Sequence, residues 1–106
     1  MAILVRSLRE PGSLVSASDS QLVRSGLVVL EQGKEVGEHE TGGGEELIVF
    51  MEGTAELVGD GETKTVRAPA AALIPAHTLH NVRNKSKVPL RYVYVYVKGS
   101  DESFKG

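Results

Sequence analysis

All three histidines of this chain, His39, His77 and His80, fall in two short stretches. The first runs from Gly33 to Gly53 and also carries Glu46, which opens an apolar run. The second runs from Pro69 to Asn84. Imidazoles and a carboxylate gathered in this way are the donors a divalent metal site uses. There is no cysteine, so thiolate ligands and disulfides are excluded and any ion is held by nitrogen and oxygen. The glycine-rich turn Gly42-Gly43-Gly44 lets the chain reverse after His39. Two neighbouring antiparallel strands are thus expected to aim His39 and Glu46 at one point, with His80 arriving from a third strand just after Pro75. Two imidazoles and one carboxylate leave coordination positions open for water or substrate. A histidine in a β protein is more often a surface or hydrogen-bonded core residue, so composition alone leaves the metal site and that alternative about even.

The elements that must position these residues are strands. The expected set is Ile3–Leu8, Gln21–Leu30, Leu47–Met51, Thr54–Val58, Thr63–Arg67, Ala71–Ile74, His80–Arg83 and Leu90–Lys98, rich in Val, Ile, Leu and Tyr. Turn chemistry separates them at Pro11-Gly12, Gly42-Gly43-Gly44, Gly59-Asp60-Gly61 and Asn84 to Pro89. Gly59-Asp60-Gly61 between two short strands marks a hairpin. No window longer than two turns carries helical periodicity. Many short, closely spaced strands predict an all-β barrel or sandwich.

With 106 residues and 41% apolar composition the chain suits one domain with one core. No apolar run approaches the ~20 residues of a membrane helix, and the first ten residues lack a signal-peptide pattern. A cytoplasmic protein with no membrane partner is expected. The net charge is -2 and Lys and Arg are scattered, so no nucleic-acid partner is expected. Asn84-Lys85-Ser86 matches a glycosylation sequon and is expected to be a bare loop.

The two stretches together resemble the cupin family. Gly33, His39, Thr41, Glu46 and Gly53 follow the first cupin motif, G(X)5HXH(X)3,4E(X)6G, position by position. Pro75, His80 and Asn84 fall in register with the second, G(X)5PXG(X)2H(X)3N. The chain departs from the motifs at Thr41, which stands at the second histidine, and at Pro69 and His77, which replace two glycines. The resemblance implies a double-stranded β-helix, or jelly-roll barrel, spanning 1–106 as a single cupin domain with its core at about 20–98. It implies one divalent metal ion (Fe, Mn, Ni or Zn) held by His39, Glu46 and His80. Thr41 then stands as a hydrogen-bonding neighbour of the ion's water, and His77 as a rim residue or a replacement fourth ligand. Among small cupins are dioxygenases, isomerases and decarboxylases. The expectation is a metal-dependent enzyme on a small polar molecule, or else a non-catalytic module that binds or senses a small carboxylate or sugar.

Two strands are apolar on both faces. In Leu90–Val97, Leu90, Tyr92, Tyr94 and Tyr96 share one face and Val93, Val95 and Val97 the other. Glu46 must point inward, so Leu47, Val49 and Met51, of opposite parity, must point outward. An outward apolar face needs a cover, either a second layer of this chain or a partner subunit, about evenly; a homodimer is expected, in part because small cupins usually pair.

Overall fold

The computed structural model describes residues 3–99, and these form nine antiparallel strands and no helix. They are β1 (Gly12–Val15), β2 (Val23–Leu30), β3 (His39–Glu40), β4 (Glu45–Glu52), β5 (Thr54–Gly59), β6 (Glu62–Arg67), β7 (Ala70–Ile74), β8 (Leu79–Arg83) and β9 (Leu90–Val97). β1-β2-β9-β4-β7 make a five-stranded sheet and β3-β8-β5-β6 a four-stranded one. The two layers enclose the core, in the all-β jelly-roll arrangement expected of a cupin. No helix among the described residues is long and apolar enough to cross a membrane.

Alternation along β4 explains how one strand serves two surfaces. Glu46, Ile48 and Phe50 turn inward, and Ile48 and Phe50 are fully buried. Leu47 and Val49 turn outward and stay 41% and 37% exposed. The inner residues join Leu30, Ala55, Leu57, Ile74, Val82, Leu90 and Tyr92 in one apolar cluster. Burying each large member contributes roughly 1.5–3 kcal/mol.

β4 and β9 pair along most of their length, which brings Glu46 opposite Tyr96 and Ile48 opposite Tyr94. β4 then turns into β5 at Gly53, with φ near 87°. A Cβ at Gly53 would lie 2.5 Å from the Pro89 carbonyl oxygen, so the motif glycine is required here by both backbone and space. The β5–β6 hairpin closes on Asp60-Gly61, with φ of 50° and 75°, the double positive φ of a tight two-residue turn.

Three expectations are corrected. Ile3–Leu8 forms no strand; Ile3 is 92% and Val5 84% exposed. The first strand begins instead at Gly12, within the stretch read as a turn. The sequence also places His39 beside Glu46 on neighbouring strands. In fact β3 pairs with β8 and β4 lies in the other sheet, because the glycine turn carries the chain across between layers.

Candidate metal centre

β3 is only two residues long, and its pairing sets His39 directly opposite His80. Directly paired side chains share a face, and the two rings lie with centroids 4.2 Å apart. His39 Nδ1 is 2.8 Å from the Gly37 carbonyl, and His80 Nδ1 is 2.9 Å from the Thr78 carbonyl. A carbonyl only accepts, so each Nδ1 carries the hydrogen and each Nε2 presents its lone pair. Backbone carbonyls fix metal-ligating histidines in this tautomer.

Glu46 reaches the same point from the facing sheet. Its Oε2 lies 3.3 Å from His80 Nε2. With the hydrogen of His80 on Nδ1, these are two acceptors face to face, and they need a cation or a shared proton between them. One donor atom from each of His39, Glu46 and His80 lies within 4.8 Å of the others. The donor set and its tautomers therefore suit a divalent ion. His80 is 1% exposed and Glu46 mostly covered, whereas His39 is open to solvent, which leaves one side accessible.

The other two residues singled out by sequence make other contacts. The Thr41 side chain is buried, and its hydroxyl donates to the Thr78 carbonyl at 3.0 Å. That carbonyl also takes the Thr41 amide and the His80 ring. Thr41 thereby braces the backbone that orients His80. His77 sits at a φ of 56° with its ring 74% exposed, its Nδ1 3.6 Å from Glu40.

Asn81 was missed by sequence reasoning. It is 3% exposed. Its Oδ1 accepts from the Gly37 amide at 2.9 Å, and its Nδ2 donates to Glu35 at 3.2 Å. Since the Gly37 carbonyl anchors His39, Asn81 holds the loop that aims this ring. Arg83 adds ion pairs to Glu35 and Glu56. Nothing local in the sequence marks Asn81; its partners are distant along the chain.

Beside the trio lies a cavity of about 310 Å³. His39 and Glu46 form its polar end, and Val28, Val36, Val82, Tyr92 and Tyr94 its walls. Burial, reinforced by the Glu46 charge, pushes both phenols above their ordinary pKa, so they stay protonated donors at neutral pH.

This fold and this site define a class. A family-wide sequence model for the cupin domain matches residues 26–96, and the chain belongs to the cupin family. Among curated proteins it is similar to a polyketide synthase, CurC, from Streptomyces cyaneus, with 33% identity over 69 residues. That match covers 65% of this chain and spans less than half, 45%, of the relative. Among solved structures it resembles a predicted oxalate decarboxylase from Thermotoga maritima. The TM-score is 0.77 at 18% identity, over 90% of this chain and 98% of the other. It also resembles a cupin 2 conserved barrel domain protein from Salinispora arenicola. There the TM-score is 0.75 at 22% identity, over 91% and 89% of the two chains. At such identities these structures establish the shared fold.

Proposed function

We propose that this cupin is a metal-dependent enzyme acting on a small molecule, with His39, Glu46 and His80 as the ligands of one divalent ion. The observation that carries this reading is the convergence of three donor atoms within 4.8 Å, from both sheets, at the end of a cavity. Bound there, an ion would supply Lewis acidity and, if it is iron, a route to dioxygen chemistry. The chain's own contribution is to hold both imidazoles in one tautomer, keep the Glu46 carboxylate in place and wall off water with valines. One named relative is a polyketide synthase and another a predicted oxalate decarboxylase, so a dioxygenase, isomerase or decarboxylase reaction remains to be assigned by assay. Elemental analysis of protein purified without added metal tests the reading. About one equivalent of a transition metal supports it, and no uptake under any loading condition overturns it.

A non-catalytic binding module is the second reading. It is favoured by Thr41, which stands at a family histidine position with its hydroxyl already donated to Thr78. Thr41 follows β3 with the strand parity of His39. Thr41→His is therefore expected to add a third imidazole and tighten Ni²⁺ binding about tenfold, a gain of about 1.4 kcal/mol. Unchanged affinity on titration would show that this side chain cannot reach the ion.

We also propose a homodimer. Leu47, Val49 and Leu73 stand on the outer face of the five-stranded sheet, 41%, 37% and 60% exposed. Val93 and Val95 of β9 flank Val49 and Leu47 in register. A second copy would cover this face, since a monomer rarely leaves so continuous an apolar patch in water. Val49→Glu is expected to give a soluble monomer by light scattering. A wild-type mass of about 11 kDa at micromolar concentration would refute the dimer.

A further inference from the structure

The cavity beside His39 and Glu46 has a composition that selects among small molecules. Its walls are three valines and two tyrosines, and among the described residues no lysine or arginine lines it. The one carboxylate among the described lining residues is Glu46. Among the described residues, neither the Tyr92 nor the Tyr94 hydroxyl has a hydrogen-bond partner, and neither is sealed off from the cavity. A hydroxyl that opens on a cavity and has no protein partner is free to donate to a ligand or to water. Two neutral O–H donors thus line a space that is apolar away from His39 and Glu46.

Tyr94 owes its position to Gly26, its direct partner on β2. A Cβ at Gly26 would meet the Tyr94 ring at 2.6 Å and its hydroxyl at 2.8 Å. The ring therefore lies flat across the glycine instead of standing out from the sheet. This keeps the cavity open and presents the hydroxyl at its wall.

We propose that the cavity binds a molecule with an apolar body of about two fused rings that carries keto, enol or phenol oxygens. The proposal rests on the reading of this cavity as the ligand site and names the class of its ligand. Size supports it: an apolar cavity of about 150 Å³ takes a benzene, and this one is about 310 Å³. Charge supports it as well. In the metal-free protein a small dicarboxylate would meet Glu46 with no side-chain cation among the described lining residues to offset it. A sugar would bring many hydroxyls to a wall with two donors, leaving most of them unpaired. An oxygen-bearing ring system instead buries its faces on Val28 and Val82 and accepts from the two phenols.

The test is calorimetric titration of the full chain, metal-free and Ni²⁺-loaded, with 1,3-dihydroxynaphthalene, oxalate and glucose. The naphthalenediol is expected to bind metal-free protein at least tenfold tighter than either of the others. Tyr94→Phe removes a hydroxyl with no internal partner. It should weaken the naphthalenediol about fivefold, the worth of about one hydrogen bond, and leave Ni²⁺ affinity and melting temperature unchanged. Gly26→Ala should displace the ring and weaken binding further. Val36→Arg, at a residue 46% exposed on the cavity wall, should shift preference toward oxalate. Oxalate or glucose binding as tightly as the naphthalenediol would overturn the proposal, and so would unaltered binding in both Tyr94→Phe and Gly26→Ala. Stoichiometric metal with no naphthalenediol binding defeats this inference alone. Naphthalenediol binding to a protein that takes up no metal defeats the metal reading alone.

Discussion

Replacing His39 by alanine is expected to lower the affinity for Ni²⁺ by about two orders of magnitude while leaving the melting temperature of metal-free protein unchanged. His39 is exposed, and its one hydrogen bond is to the Gly37 carbonyl, which can turn to water once the ring is gone. The fold therefore loses little. The site loses one of three donors and the geometry that donor fixed. Removal of a residue that merely supports a ligand typically costs 10- to 100-fold in affinity, so loss of a ligand itself should reach at least the upper figure. His80→Ala is a poorer probe. His80 is 1% exposed and hydrogen-bonded to Thr78, so its truncation opens a buried space and leaves Glu46 without its neighbour. Competition with a chromophoric chelator gives the affinities directly. Retention of the ion by His39→Ala within about threefold of wild type would remove His39 from the ligand set.

Asn84→Asp is expected to destabilise the fold by about 3–5 kcal/mol, a large share of the 5–15 kcal/mol typical of a domain. Asn84 is fully buried and uses its whole amide. Its Nδ2 donates to the carbonyls of Leu30 and Val88, both at 2.8 Å. Its Oδ1 accepts from the Ser86 amide at 3.0 Å and the Ser86 hydroxyl at 2.7 Å. An aspartate keeps the second pair of bonds but turns a carboxylate oxygen toward two carbonyls, with no donor and no cation to relieve it. Asn84→Ala removes the same donors without adding charge and should cost less, about 2–3 kcal/mol. Urea unfolding at neutral pH measures both. A loss under about 1 kcal/mol for Asn84→Asp would mean that the β8–β9 loop relaxes around the change. The same bonds bear on the sequon, since the amide that would carry a glycan is sealed inside the protein.

Much of this architecture was legible because side-chain parity is a strong signal in strands. β4 alternates without error from Glu45 to Phe50, and that alone sends Glu46 inward and Val49 outward. The resemblance of two stretches to the cupin motifs likewise drew attention to His39, Glu46 and His80, whose donor atoms do converge. What failed depended on partners far along the chain. Ile3–Leu8 has the composition of a strand but pairs with no sheet edge among the described residues. β3 is too short to show any period, so the assignment of His39 to β8 rather than β4 had no local signature. Asn81 has the same difficulty: its role exists only once the Glu35–Gly37 segment lies against it.

The division of the trio between layers has a mechanical consequence. His39 and His80 hang from the four-stranded sheet and Glu46 from the five-stranded one. Whatever these three groups grip together clasps the two sheets at one rim, as a button closes a collar. Breathing of that rim would separate Glu46 from the imidazoles before it disturbed Ile48 or Phe50 deeper in the sandwich. Amide exchange should therefore slow together in β3, β8 and the start of β4 when the site is filled, while β6 at the far edge keeps its own rhythm.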